Sequence, residues 1–442
     1  MTQHADHANH PPEVEYICRL QLIWVVALLS VFSLPALSDT NSIETLNLKE
    51  VDVVVGLVQN LPRSADALYL LGQVYNKQGD ASEAVKSWKR CLALNPKHGD
   101  AYVSIGLVAT QAGDFEKAVT FYRNALTMNP NLPGVHNYLA LALIAQGRTQ
   151  PAIAELKAEL EISPNASKSH YELGRAYLLE KQYENAKASY EVAIALEPDY
   201  TQAYYGLASA CARLGLRDES TRHMKAFKPL KAADLKKQVH RTRTFNDMAS
   251  VRQSLATTYT QAGQIYKAHG DTHRAKTFWQ KAGSLDVKNR EARVQLLLLY
   301  QTEDETAKVL QVCYELTQIE PKNLEHYLNF GILSTRLDRF DLAESAFEKA
   351  ISLAPRRAEG YRELAELYLR ANHELADARK LAEKAVEIKP DAQSYYVLAW
   401  ACDMNGVHDQ ALDALERAMK LKPADAKYRQ MYDLIKKKAI TR

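Results

Sequence analysis

Low-complexity stretches and the usual signatures of catalysis are missing from this 442-residue chain. Lysine and arginine number 56 against 53 aspartate and glutamate, a formal charge of +3, which argues against an obligate nucleic-acid binder or an acidic tail. Glycine (17) and proline (15) are too scarce for low complexity, so their placement matters more than their number. No glycine-rich loop ends in Lys-Ser/Thr, and neither HExxH nor GxSxG occurs. What is present is 47% hydrophobic and 25% charged residues, ample material for a packed interior.

The amino terminus stands apart. Residues 1–19 are polar and lack a hydrophobic period, and His4, His7 and His10 lie there without an expected metal role. From Leu20 to Leu37 the chain is apolar, broken by Gln21, Ser30, Ser33 and Pro35. The run is short of the ~20 residues a bilayer crossing wants. It ends in Ala36-Leu37-Ser38, small residues at the −3 and −1 positions of a signal peptidase site. Residues 1–38 are therefore expected to be a signal peptide or a membrane anchor, with membrane association through residues 20–37. The body would then be exported (periplasmic or secreted) or anchored outside the cytoplasm. A hydrophobic helix docking on the body is the alternative.

Beyond Asp39 the chain repeats itself. "AVKSWKRCLALNP" at 84–96 returns as "AVTFYRNALTMNP" at 118–130, and Pro62, Pro96, Pro130, Pro164 and Pro198 fall every 34 residues. A period of this size is the mark of a solenoid. Gly72, Gly106, Ala140, Gly174 and Ala208 make a column of small residues. Ala84, Ala118, Ala152 and Ala186 make another, and Trp88, Tyr122, Leu156 and Tyr190 a bulky third. Cys91, Ala125 and Ala193 share a fourth column, from which Glu159 departs. Leu68, Leu71, Gly72 and Tyr75, then Ala84, Trp88 and Cys91, keep helical spacing around a Gly79-Asp80 turn. Each unit reads as two antiparallel helices brought close by small residues, so the repeated phrase is packing and performs no chemistry.

This arrangement of small residue, tyrosine, glycine turn, alanine, aromatic, alanine and proline on a 34-residue beat resembles the tetratricopeptide repeat family. The resemblance implies an all-α, right-handed α-α superhelical solenoid. Ten units can be phased, starting at Ala65, Gly99, Pro133, Ser167, Thr201, Ala256, Arg290, Leu324, Ala358 and Ala392. The seventh has no glycine at its turn, and in the ninth one extra residue separates Tyr368 from Ala378. Pro198 and Pro321 stand 123 residues apart, three beats plus 21. The expected organisation is a first stack at 45–230, a basic helical hinge at 231–255, a second stack at 256–424 and a capping helix at 425–442. "NLKEVDVVVGLVQNLP" caps the front as a helix, although its valine run also suits a strand.

Candidate chemical groups are few. His269 and His273 flank the Gly270-Asp271 turn, and Cys402 and His408 flank another, so neither pair suggests a site. Cys91, Cys211, Cys313 and Cys402 fall in packing columns of separate units and are expected as buried, unpaired thiols. No catalytic residue, cofactor or metal is expected.

The surface remains. In such a family the first helix of each unit lines the concave side, at its second, fifth, ninth, twelfth and thirteenth positions. Those columns hold Tyr69 and Gln73, then Asn137 and Leu141. Next come Tyr171, Arg175 and Leu178, followed by Tyr205 and Arg213. In the second stack they hold Arg362 and Glu366, then Tyr396 and Trp400. Tyrosine combines a large apolar face with a hydroxyl at low entropic cost, which suits peptide recognition; the same rings also suit packing between neighbouring helices. The lysine–asparagine carboxylate clamp of chaperone-tail-binding members is not matched, because its columns hold Tyr69, Gln73 and Ser104, or Tyr171, Arg175 and Gly206. The hinge is rich in cations, with Lys225, Lys228, Lys231, Lys236, Lys237, Arg241 and Arg243, a patch suited to anionic surfaces or simply to water. The reading is a non-enzymatic scaffold that binds peptide or helical segments of other proteins, with no nucleic acid. A structural component of an envelope or export assembly is the alternative, and a cryptic enzyme a remote one.

Overall fold

The computed structural model describes residues 42–244 and 247–440, with side chains through residue 238 and from 247 to 438. Residues 1–38, with the apolar segment 20–37, lie outside the described residues. Every described element is helical, and the chain divides into two compact units at Leu255 and Ala256.

The first unit opens with α1 (Ile43–Asn60) and continues as pairs. These are α2 (Ala65–Lys77) with α3 (Ala81–Leu94), α4 (Gly99–Gln111) with α5 (Phe115–Met128), and α6 (Val135–Ala145) with α7 (Thr149–Ile162). Then come α8 (Ser167–Leu179) with α9 (Tyr183–Leu196), and α10 (Thr201–Arg213) with the long α11 (Arg217–Thr244). Helix α12 (Met248–Ala268) begins eight residues before the division and leads the second unit with α13 (Thr272–Leu285). It is followed by α14 (Arg290–Thr302) with α15 (Thr306–Ile319), and α16 (Leu324–Arg336) with α17 (Phe340–Leu353). The last are α18 (Ala358–Ala371) with α19 (Leu375–Ile388), α20 (Ala392–Met404) with α21 (His408–Leu421), and the closing α22 (Ala426–Ile440). Within each unit successive helices pack on one another, and several first helices also touch the next first helix, the nearest-neighbour pattern of a solenoid. The valine run of α1 is helical: Val54 and Leu57 are buried, and Glu50 beneath them pairs with Lys77 of α2. No helix among the described residues is long and apolar enough to cross a membrane.

Two local rules build the units. The first concerns the turn between paired helices, where one residue adopts the left-handed conformation. Gly79, Gly113, Gly147, Gly215, Gly270 and Gly406 take it with φ between 74° and 87°. The next residue often caps the following helix: Asp80, Asp114 and Asp271 accept the backbone N–H of Glu83, Lys117 and Arg274 at 3.0, 3.1 and 2.9 Å. On the same beat Lys181, Asp304 and Asp338 hold φ of 59°, 53° and 55°. The seventh turn, which lacks glycine, is thus made by Asp304 in the same backbone state. The longer ninth turn uses two such residues, Asn372 and Glu374.

The second rule concerns volume where the paired helices cross. A Cβ added at Gly72 would lie 2.3 Å from Trp88 Nε1, and one at Gly331 would lie 2.4 Å from Phe347 Cε1. Gly106 faces Tyr122, Gly174 faces Tyr190 and Gly263 faces Trp279 in the same way. Where the partner column is smaller the glycine gives way, as in Ala140 with Leu156, Ala208 with Met224 and Ala399 with Leu415. In the seventh unit the sizes invert, Leu297 with Cys313. Summed volume is held roughly constant, as close packing requires. In the ninth, with its longer turn, both positions are alanine, Ala365 and Ala382.

Candidate partner-binding surface

The expected groove residues meet different fates, set by how far their neighbours cover them. Tyr69 is half-buried, its ring 4.6 Å from that of His98, and burial raises its phenol above the ordinary value. Asn137 does not lie on an open surface. It is 5% exposed with a buried, unpaired Oδ1, because α6 is packed between α4 and α8. Leu141 is half-buried on the same helix. Tyr171 is committed largely to packing, its ring 5.8 Å from Tyr190 and 5.1 Å from Tyr200. Arg175 Nη1 lies 2.9 Å from the carboxylate of Glu172, which is 6% exposed. Burial raises the Glu172 carboxyl above its ordinary value, against the pull of Arg175 and Lys168. Leu178 packs on the core around Tyr190 and Leu207, whereas Arg213 is exposed at the end of α10.

In the second unit the corresponding positions are mostly occupied with one another. Glu366 pairs with Arg370 at 2.7 Å, and the mostly covered Arg362 lies 3.7 Å from Glu363. Lys427 of α22 sits 4.6 Å over the ring of Tyr396, and Trp400 packs against the cluster that holds Leu369 and Val397.

Tyr205 differs from all of these. It is 54% exposed, and its ring lies 5.4 Å from Phe227. Phe227 belongs to α11, which runs for 28 residues where the other second helices of this unit run for 14. Lysine, alanine and leucine favour helix, so the segment after Lys225 continues through the exposed Pro229 to Thr244. The extension carries the cationic segment that was expected as a hinge. It stands beside α8 and α10 and encloses a cleft of about 750 Å³ lined by Tyr171, Tyr205, Phe227, Lys228, Lys231 and Leu235. Asp234 is the acidic residue of the lining. Leu235 is 63% exposed, Lys231 Nζ lies 5.5 Å over the Phe227 ring, and Lys237 is 3.6 Å from Asp199.

Two features read separately from the sequence, the tyrosine columns and the basic segment, therefore meet in one place. Lys225, Lys236 and Lys237 are exposed but outside the lining, and the side chains of Arg241 and Arg243 lie outside the described residues. Phe227 was missed although it falls in the column of Cys91, Ala125 and Ala193, where a bulky ring departs from the small residues of the other units. Its spacing of four from His223 and Lys231 on one helix face was the available signal. The four described cysteines are buried and free, as expected for packing residues in separate units. Burial pushes the Cys91 thiol up to about 12 and that of Cys313 to about 11.

Three family profiles, each described as a tetratricopeptide repeat, match this chain. One covers residues 56–88, 69–133, 330–393 and 369–426, a second 109–176 and a third 167–200. Together they span more than half of the sequence. No curated protein sequence matches. Among solved structures, MamA from Desulfovibrio magneticus RS-1 is 20% identical, with a TM-score of 0.37, over 38% of this chain and 96% of that one. YrrB, described as a TPR protein with an unusual peptide-binding site, is 15% identical over 41% of this chain and 97% of that one, with a TM-score of 0.37. Yeast Tom70 is 16% identical over 85% of this chain and 96% of that one, with a TM-score of 0.32.

Proposed function

The chain belongs to the tetratricopeptide repeat family, and from that premise we propose that it is a non-enzymatic scaffold holding segments of other proteins against the first helices of its first unit. The cleft between α10 and the extension of α11 carries this reading. Tyr205, Phe227 and Leu235 offer apolar area that no described residue covers fully, beside the cations of Lys228 and Lys231. A peptide or helical segment with a bulky apolar residue flanked by acidic ones matches both. The aromatic anchor supplies most of the affinity, on the order of 2 kcal/mol for a well-buried ring. The lysines at the rim mainly speed encounter and set register. Tyr171 and Arg175 serve as a wall held by Tyr190, Tyr200 and Glu172 rather than as free contacts.

Residues 1–38 are proposed to direct the chain to a membrane and leave its body outside the cytoplasm. Protease accessibility of the body in intact cells tests that part. The cleft is tested by placing a photo-cross-linking side chain at Tyr205 and, in a second protein, at the exposed Lys89 of α3. Partner proteins cross-linked from position 205 and not from 89, and lost when Phe227→Ala and Lys231→Glu are added, fit the proposal. Equal labelling from both positions sinks it.

A further inference from the structure

Close to that cleft, α10 and α11 also bring together three side chains of metal-binding character. Cys211 in the last turn of α10 is buried, and Glu219 and His223 stand one turn apart on the facing side of α11. The donor atoms of all three lie within 4.8 Å of one another, and Cys211 Sγ is 3.9 Å from Glu219 Oε2. A cation at the centre of even the widest such triangle sits about 2.8 Å from each donor, so closing to zinc-like bond lengths of about 2.0–2.3 Å needs shifts of roughly half an ångström to an ångström. Ser220, between the two α11 donors, donates a hydrogen bond from its hydroxyl to the Ala208 carbonyl oxygen at 2.8 Å, which ties the two helices together.

The repeat supplies its own controls. In the columns of Cys211, Glu219 and His223, the first four units carry Tyr75, Glu83 and Ser87; Ala109, Lys117 and Phe121; Leu143, Pro151 and Glu155; and Tyr177, Asn185 and Ser189. Packing is thus satisfied in four ways without a sulfur, an imidazole and a carboxylate together. The same comparison shows a second departure. Lys187 stands where earlier units have Val85, Val119 and Ile153, and its ammonium lies 2.8 Å from Glu219 and 3.7 Å from Glu191. A cation is already held at this spot by the chain itself, and Arg222 adds a further positive charge nearby.

We propose that Cys211, Glu219 and His223 form a binding site for a borderline divalent cation of the zinc class, in competition with Lys187. Thiolate, neutral imidazole and carboxylate are the donors such ions take, and their two negative charges match the ion. On binding, the Cys211 thiol releases its proton to solvent as the sulfur–metal bond forms. Three protein donors leave a fourth position for water. The ion would pin α11 to α10 and so fix the wall of the neighbouring cleft.

Cobalt titration of the reduced full-length protein tests this directly, because a thiolate bound to cobalt absorbs in the near ultraviolet. The test variants are borrowed from other units so that the fold tolerates them: Cys211→Ala, Glu219→Asn and His223→Ser. Wild type is expected to take up one equivalent with sulfur-to-cobalt absorption, displaced by zinc. Cys211→Ala loses that absorption, His223→Ser and Glu219→Asn weaken binding at least tenfold, and Lys187→Met tightens it. Absence of the sulfur signal in wild type at millimolar cobalt overturns the proposal, as does a signal undiminished in Cys211→Ala.

Discussion

Gly331 and Phe347 offer the sharpest test of how each helix pair is held together. A methyl group at position 331 would lie 2.4, 2.7 and 2.8 Å from three atoms of the Phe347 ring, which is itself buried. These separations are about 1 Å inside ordinary carbon–carbon contact. The ring has nowhere to turn, so overpacking near the top of the usual range, about 3 kcal/mol, is expected. Alanine also favours a helix interior over glycine by about 1 kcal/mol. The net expectation for Gly331→Ala is a loss of about 2 kcal/mol. Phe347→Leu alone shortens the bulky partner and costs about 1–2 kcal/mol in lost contact. Combining the two recreates the Ala/Leu pairing of Ala140 with Leu156 and of Ala399 with Leu415. The double variant should therefore fall within about 1 kcal/mol of wild type, a coupling of about 2–3 kcal/mol. Urea unfolding followed by far-ultraviolet circular dichroism measures all four proteins. Additive losses, with coupling below about 0.5 kcal/mol, would refute the volume rule.

Three further predictions concern the turn column and the buried thiol of Cys91. Lys181 holds a positive φ where other units use glycine, so Lys181→Gly should stabilise by roughly 0.5–1 kcal/mol in the same unfolding assay. Gly113→Ala, with nothing near its added methyl but the wrong backbone sign, should cost about 1–2 kcal/mol. Cys91 is buried, and its thiol ionises only near pH 12, so it should resist a thiol-specific chromogenic reagent at pH 8 until denaturant opens the fold. Labelling of Cys91 in the folded protein at the rate of an exposed cysteine would contradict its placement.

Much of the architecture was legible in the amino-acid order because a repeat states its local rules several times. The small residue at Gly72 and its bulky partner at Trp88 recur on the beat, and recurrence separates packing from accident. The turn of the seventh unit was harder to read, since Asp304 replaces the glycine, yet aspartate tolerates the left-handed backbone and the turn survives. Glu159, a carboxylate in a column of small residues, had no explanation in sequence. In the fold it is 3% exposed, and its Oε1 accepts the N–H of Gly134 at the start of the shortened α6.

The candidate surface was less legible for a related reason. The period names which positions face inward along a first helix, but how far the neighbouring helix covers each one depends on side chains a full unit away. Asn137 and Tyr205 share the fifth position of their units, and one is covered while the other is open. Sequence by itself determined the helix pairs, their beat and their packing columns, because these depend on contacts between residues close in the chain. The meeting of Tyr205 with Phe227, and of Cys211 with Glu219 and His223, was decided only by tertiary structure. These residues all stand in ordinary columns of the repeat, but the period says only that α10 and α11 pair, while the distance between particular side chains across the pair is set by how the two helices cross.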